Sequence, residues 1–136
     1  MKWIFPLLAA FLLAPVLLAA EPPLKELMSH LGAQMYSLDE ALVLGDLKAA
    51  AAQAEAIAEH PPIQKAQRAV IAKTLGPQMK DFKGWDLKVH KTASALAQVA
   101  LAGEATEARR LASQLAEGCR GCHSAFREQV SKALAP

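Results

Sequence analysis

The chain has only two cysteines, one tyrosine and few aromatic residues of any kind, 5% in all, and its 15 basic and 13 acidic residues nearly cancel. That balance excludes the broad cationic face that nucleic-acid binding requires. Two cysteines and four histidines, none spaced to complete a finger, make a tetrahedral structural zinc a poor reading. β-Branched residues are sparse and no stretch alternates polar with apolar, so the strand signal of a sheet or of a βαβ redox fold is missing. What is there in quantity is alanine and leucine, which favour helix throughout. At 136 residues the chain is expected to fold as one domain with a modest core.

Charge is also missing from the front of the chain. Lys2 precedes eighteen uncharged residues, Trp3 to Ala20, and Glu21-Pro22-Pro23 follows. This reads as a secretory signal over residues 1–20, cut near Ala20, with residues 21–136 as the exported domain. The run is nearly long enough to span a bilayer, and Leu18 stands where a small residue is usual, so an uncleaved anchor is the alternative. Only in that case is a membrane a partner. Cleavage removes Lys2 and no acid, leaving a formal net charge of +1 in place of +2.

Punctuation divides the rest into helices. Pro22-Pro23 opens and Gly45 closes a first helix, with Leu24, Met28, Leu31, Met35, Leu38 and Leu42 as its apolar stripe. Asp46 is the natural N-cap of a second, Leu47 to about Glu59, whose face of Leu47, Ala51, Ala54, Ile57 and Ala58 permits close approach. Pro61-Pro62 ends it. A long connection with one short helix, Gln64 to Leu75, leads to Gly76-Pro77, and a third long helix is expected from near Asp81 to Ala102. Its inner stripe reads Phe82, Trp85, Val89, Thr92, Leu96 and Val99. After Gly103 the last helix, Ala105 to Ala133, presents Ala108, Leu111, Leu115, Cys119, Cys122, Phe126 and Val130 in the same rhythm. Short, long and short connections describe an all-α, antiparallel four-helix bundle.

The two cysteines fall in the sequence Cys119-Arg120-Gly121-Cys122-His123. This is the C-x-x-C-H pattern for covalent attachment of a c-type haem, in which the thiols add to vinyl groups and the imidazole ligates iron. On a helix, at about 100° per residue, Cys119 lies about 40° from His123 and about 60° from Cys122, so all three reach one side. A thioredoxin-type motif needs the missing strands, and a disulfide between helical residues three apart needs local distortion. One covalent haem c is therefore expected near one end of the bundle. Export suits it, because haem c is attached on the exported side of the bacterial membrane.

With the motif at the C-terminal end of an all-helical chain and Phe126-Arg127 after it, the sequence resembles the class II cytochromes c, the family of cytochrome c-prime and its low-spin relatives. Leu27-Met28-Ser29-His30-Leu31-Gly32-Ala33-Gln34-Met35 is similar to that family's L-M-x-x-x-G-x-x-M segment on the first helix, and Phe82 to Leu96 looks like its third helix.

The resemblance implies a periplasmic, non-enzymatic electron carrier with His123 as proximal and Met28 as distal iron ligand, Arg127 near the axial histidine and a haem propionate, redox proteins as partners, and a homodimer face on the first two helices. The bland readings are Met28 as core packing and Arg127 as a solvated arginine. A five-coordinate cytochrome c-prime that binds a diatomic gas is the functional alternative, and a small thiol–disulfide oxidoreductase the lesser one. Of the other histidines, His30 is expected on the surface, His60 as a helix cap, and His90 at the edge of the core as the rival distal ligand. Met35 is expected in the core.

Overall fold

A computed structural model describes residues 21–136. The expected signal, residues 1–20, lies outside the described residues. Five α-helices follow in order: α1 Leu24–Leu44, α2 Leu47–Ala58, α3 Lys65–Leu75, α4 Met79–Leu101 and α5 Ala105–Ala133. No strand occurs among the described residues, and none of these helices is long and apolar enough to cross a membrane.

The helix ends follow from backbone chemistry. Gly45 takes φ 75°, and the N–H groups of Gly45 and Asp46 donate to the carbonyls of Leu42 and Ala41, closing α1 in a Schellman turn. Gly103, φ 81°, repeats the device after α4 through Ala100 and Val99. The Asp46 carboxylate accepts from the Ala49 N–H at 2.9 Å and so caps α2. At the other end of α1, the unpaired Leu24 N–H donates to Gln67 Oε1 on α3 at 2.8 Å. α4 begins at Met79, two residues before the expected Asp81, because one turn of 3₁₀ helix over Gly76–Gln78 leads straight into it. Pro77 fits that first turn, where its missing N–H is not needed.

Adjacent helices run antiparallel. Gly118 of α5 faces Val89 of α4 and Gly121 faces Trp85, so the numbers rise along one helix as they fall along the other. Arg109, near the start of α5, donates to the Leu42 carbonyl near the end of α1 at 3.1 Å. The ring of neighbours is α1, α2, α4, α5 and back to α1, with α3 against the far half of α5.

α2 reaches only part of the way along α4, and the core divides where it stops. The larger cluster joins Leu38, Leu42, Ala50, Ala54, Ile57, Leu96 and Leu115. The smaller joins Ile71 and Leu75 of α3 with Phe126 and Val130 of α5, with Phe82 set edge-on to Phe126 at 5.5 Å between centroids. α4 buries Val89, Ala93, Leu96, Ala97 and Ala100, a face richer in alanine than expected, while Phe82, Trp85, Thr92 and Val99 are half-buried at its margin. Alanine lets α2 and α4 approach closely. On α1 it is Leu27, at 2% exposure, that turns fully inward near the start.

Leu96 is fully buried, so Leu96→Ala should cost about 3 kcal/mol through lost transfer energy and a cavity. Val43→Ala, at a position 84% exposed, should stay within about 0.5 kcal/mol. Urea unfolding of the two variants checks this, and equal losses would contradict the packing described.

Candidate functional site

The Cys119 to His123 stretch lies in the middle of α5, where two glycines weaken the helix by about 1 kcal/mol each relative to alanine. Both have a packing reason. A Cβ at Gly118 would sit 3.3 Å from Val89 Cγ2, and one at Gly121 would overlap the Trp85 indole. α4 therefore packs tightly against α5 at the level of the two thiols. The indole rests on bare backbone there, with the Lys88 ammonium 5.1 Å from its ring centre.

The thiols face different parts of the interior. Cys119 packs on the larger cluster and Cys122 on the smaller, so together they span the seam between them. Both are half-buried and free. Burial raises the Cys119 thiol, and it pushes Cys122 up to about 11 with help from the Asp86 and Cys119 charges. Redox-active C-x-x-C thiols are instead lowered by a helix N-terminus or a neighbouring cation. Thiols held protonated in mid-helix do not favour the thiol–disulfide alternative.

His123 and Arg127 are exposed one turn apart, and the open surface beside them is bordered by α5 residues alone, from His123 to Lys132. Met28 is 36% exposed and belongs to neither cluster, so the core-packing reading does not describe it. One turn before it Leu24 packs on the cluster that Cys122 joins, and about one turn after it Leu31 packs on the cluster that Cys119 joins. Met28 thus lies at the level of the seam. Met35 packs on the larger cluster, as expected. Two half-buried free thiols with an exposed imidazole next in sequence are a donor set of the kind that tethers a macrocycle, and the Trp85 indole occupies the space over Gly121 between them.

The sequence reading missed a second group at the same seam. His60, in the segment after α2, and His90, one turn after Asp86 on α4, converge on the Asp86 carboxylate, with Nε2 to oxygen distances of 3.7 Å for each. Their rings lie 4.4 Å apart, tilted by 30°. His60 Nδ1–H donates to the Pro61 carbonyl at 2.9 Å, and His90 Nδ1–H donates to the Ala58 carbonyl. His60 is therefore not the cap of α2. His90 is, because α4 carries its ring past the last turn of α2. The facing Asp86 carboxylate raises His60, and the same contact lowers Asp86. The spacing Asp86-x-x-x-His90 was visible as one helical face, but nothing in the sequence brings His60 to it. His30 is exposed beside Glu26, as expected.

No family model, curated protein or solved structure matches the chain.

In the polypeptide with both thiols free, alkylation of Cys122 should be slow at neutral pH and rise with an apparent pKa near 11, as its burial requires. Asp86→Asn should lower that value by removing a nearby negative charge. Mass-spectrometric rate profiles check this, and a profile centred at or below the ordinary thiol value would contradict it.

Proposed function

We propose that the chain is an exported monohaem cytochrome of class II that passes single electrons and turns over no substrate. Cys119 and Cys122 would hold haem c by thioether bonds, with His123 the proximal iron ligand, Met28 the distal one and Arg127 near a propionate. The observation that carries this reading is the pair of free, half-buried thiols bridging the two apolar clusters, with an imidazole next in sequence. When bound there, the group supplies a one-electron ferric/ferrous couple.

The remaining work belongs to the chain. The thiols fix the position of the cofactor, and the apolar clusters on either side exclude water and keep the local dielectric low. The exposed His123 imidazole would provide the nitrogen ligand. A thioether opposite it would raise the potential, and a filled coordination sphere would change little between oxidation states. The Arg127 guanidinium, one turn from His123 and beside the same open surface, would meet a propionate carboxylate.

The second reading, a five-coordinate gas binder, is favoured by the exposure of Met28, whose side chain is not locked into either cluster. Spectroscopy separates the two. An electron carrier should be low-spin when reduced, show the weak near-infrared sulfur-to-iron band when oxidised, and resist carbon monoxide. Met28→Ala should then turn high-spin and take up carbon monoxide readily, because Ser29 and His30 are rotated from it by about 100° and 200°. An unmutated protein that is already high-spin and avid for carbon monoxide would overturn the carrier reading in favour of the gas binder. A Met28→Ala protein that stays low-spin would remove Met28 from the account.

A further inference from the structure

We propose that His60, Asp86 and His90 form a binding site for one divalent transition-metal ion of the zinc type, separate from the cysteine motif. None of its ligands belongs to that motif, so the site stands or falls apart from the cytochrome reading.

The orientation of the two imidazoles carries the inference. A carbonyl can only accept, so the Pro61 and Ala58 carbonyls place a proton on Nδ1 of both His60 and His90. In the neutral ring the other nitrogen then carries a lone pair, and both Nε2 atoms face Asp86 oxygens at 3.7 Å. Two lone pairs aimed at one carboxylate repel it unless a cation lies between. A proton on His60 relieves one of the two contacts. A metal ion at the common point serves both nitrogens and the carboxylate together. Nδ1–H to carbonyl is also the hydrogen bond that orients histidine ligands in metal sites and raises their basicity.

The dimensions agree. The three ligand atoms lie within 4.8 Å of one another. A tetrahedral zinc with bonds of about 2.0–2.1 Å separates its ligands by about 3.3 Å. The two 3.7 Å pairs, which use different Asp86 oxygens, need to close by about 0.4 Å, and no ligand pair by more than about 1.5 Å. Asp86 and His90 are four residues apart on α4, the spacing that puts two ligands on one helical face. The His60 side chain is 9% exposed and that of Asp86 53%, giving one buried wall and one open side for entry and for water as a fourth ligand. Two imidazoles select zinc, copper, nickel or cobalt over calcium and magnesium, which prefer all-oxygen shells.

The test uses the full exported protein, stripped with a chelator and dialysed against zinc. One zinc per chain should be retained, its X-ray absorption should show a nitrogen and oxygen shell with imidazole scattering and no sulfur, and thermal unfolding should shift upward with zinc concentration. Magnesium at the same concentration should not displace it. His60→Gln, His90→Gln and Asp86→Asn should each weaken binding at least tenfold. Asp86→Asn keeps volume while removing the charge, so it serves where a histidine variant fails to fold. No retained zinc, a sulfur-containing shell, displacement by magnesium, or affinity unchanged in folded Asp86→Asn would each overturn the proposal.

Discussion

The length of α2 is the constraint on which the rest of the structure depends. At about 1.5 Å per residue its 12 residues rise about 18 Å, against about 35 Å for the 23 residues of α4 and about 44 Å for the 29 of α5. A helix that short cannot cover its neighbours, so Pro61-Pro62 release the chain and α3 covers the remainder. Two helices doing the work of one leave two apolar clusters with a seam between them. That is where the thiols, Trp85, Met28 and the His60, Asp86 and His90 group are found.

The seam also sets the chemistry of what lies in it. Half-burial takes water from the thiols without giving them a cation, so they stay protonated, unlike the thiols of exchange motifs. The Asp86 charge is tolerated at the edge of the same region because its side chain is half exposed to water. Gly121 keeps α4 and α5 close at the level of the thiols, and any larger residue would push the indole away.

Much of this was legible in the sequence where short-range chemistry decides. Gly45, Asp46, Pro61-Pro62 and Gly103 placed the helix ends, since each acts through its own backbone geometry or cap. The α5 stripe placed both cysteines on the inner face because that helix is long and strongly periodic. Reading failed where distant segments meet. The Gln67 side chain of α3 reaches back to the Leu24 N–H at the start of α1, 43 residues earlier in the chain. The pairing of His60 with Asp86 and His90 joins positions 26 and 30 residues apart, and no periodicity encodes it.

The claim most exposed to test is that the two seam thiols hold a covalent macrocycle. Intact mass spectrometry of the protein recovered from the periplasm measures it directly. The account predicts the mass of the chain from near Glu21 plus one haem, surviving denaturation and absent when Cys119 and Cys122 are both alanine. A denatured mass equal to the bare polypeptide would contradict it.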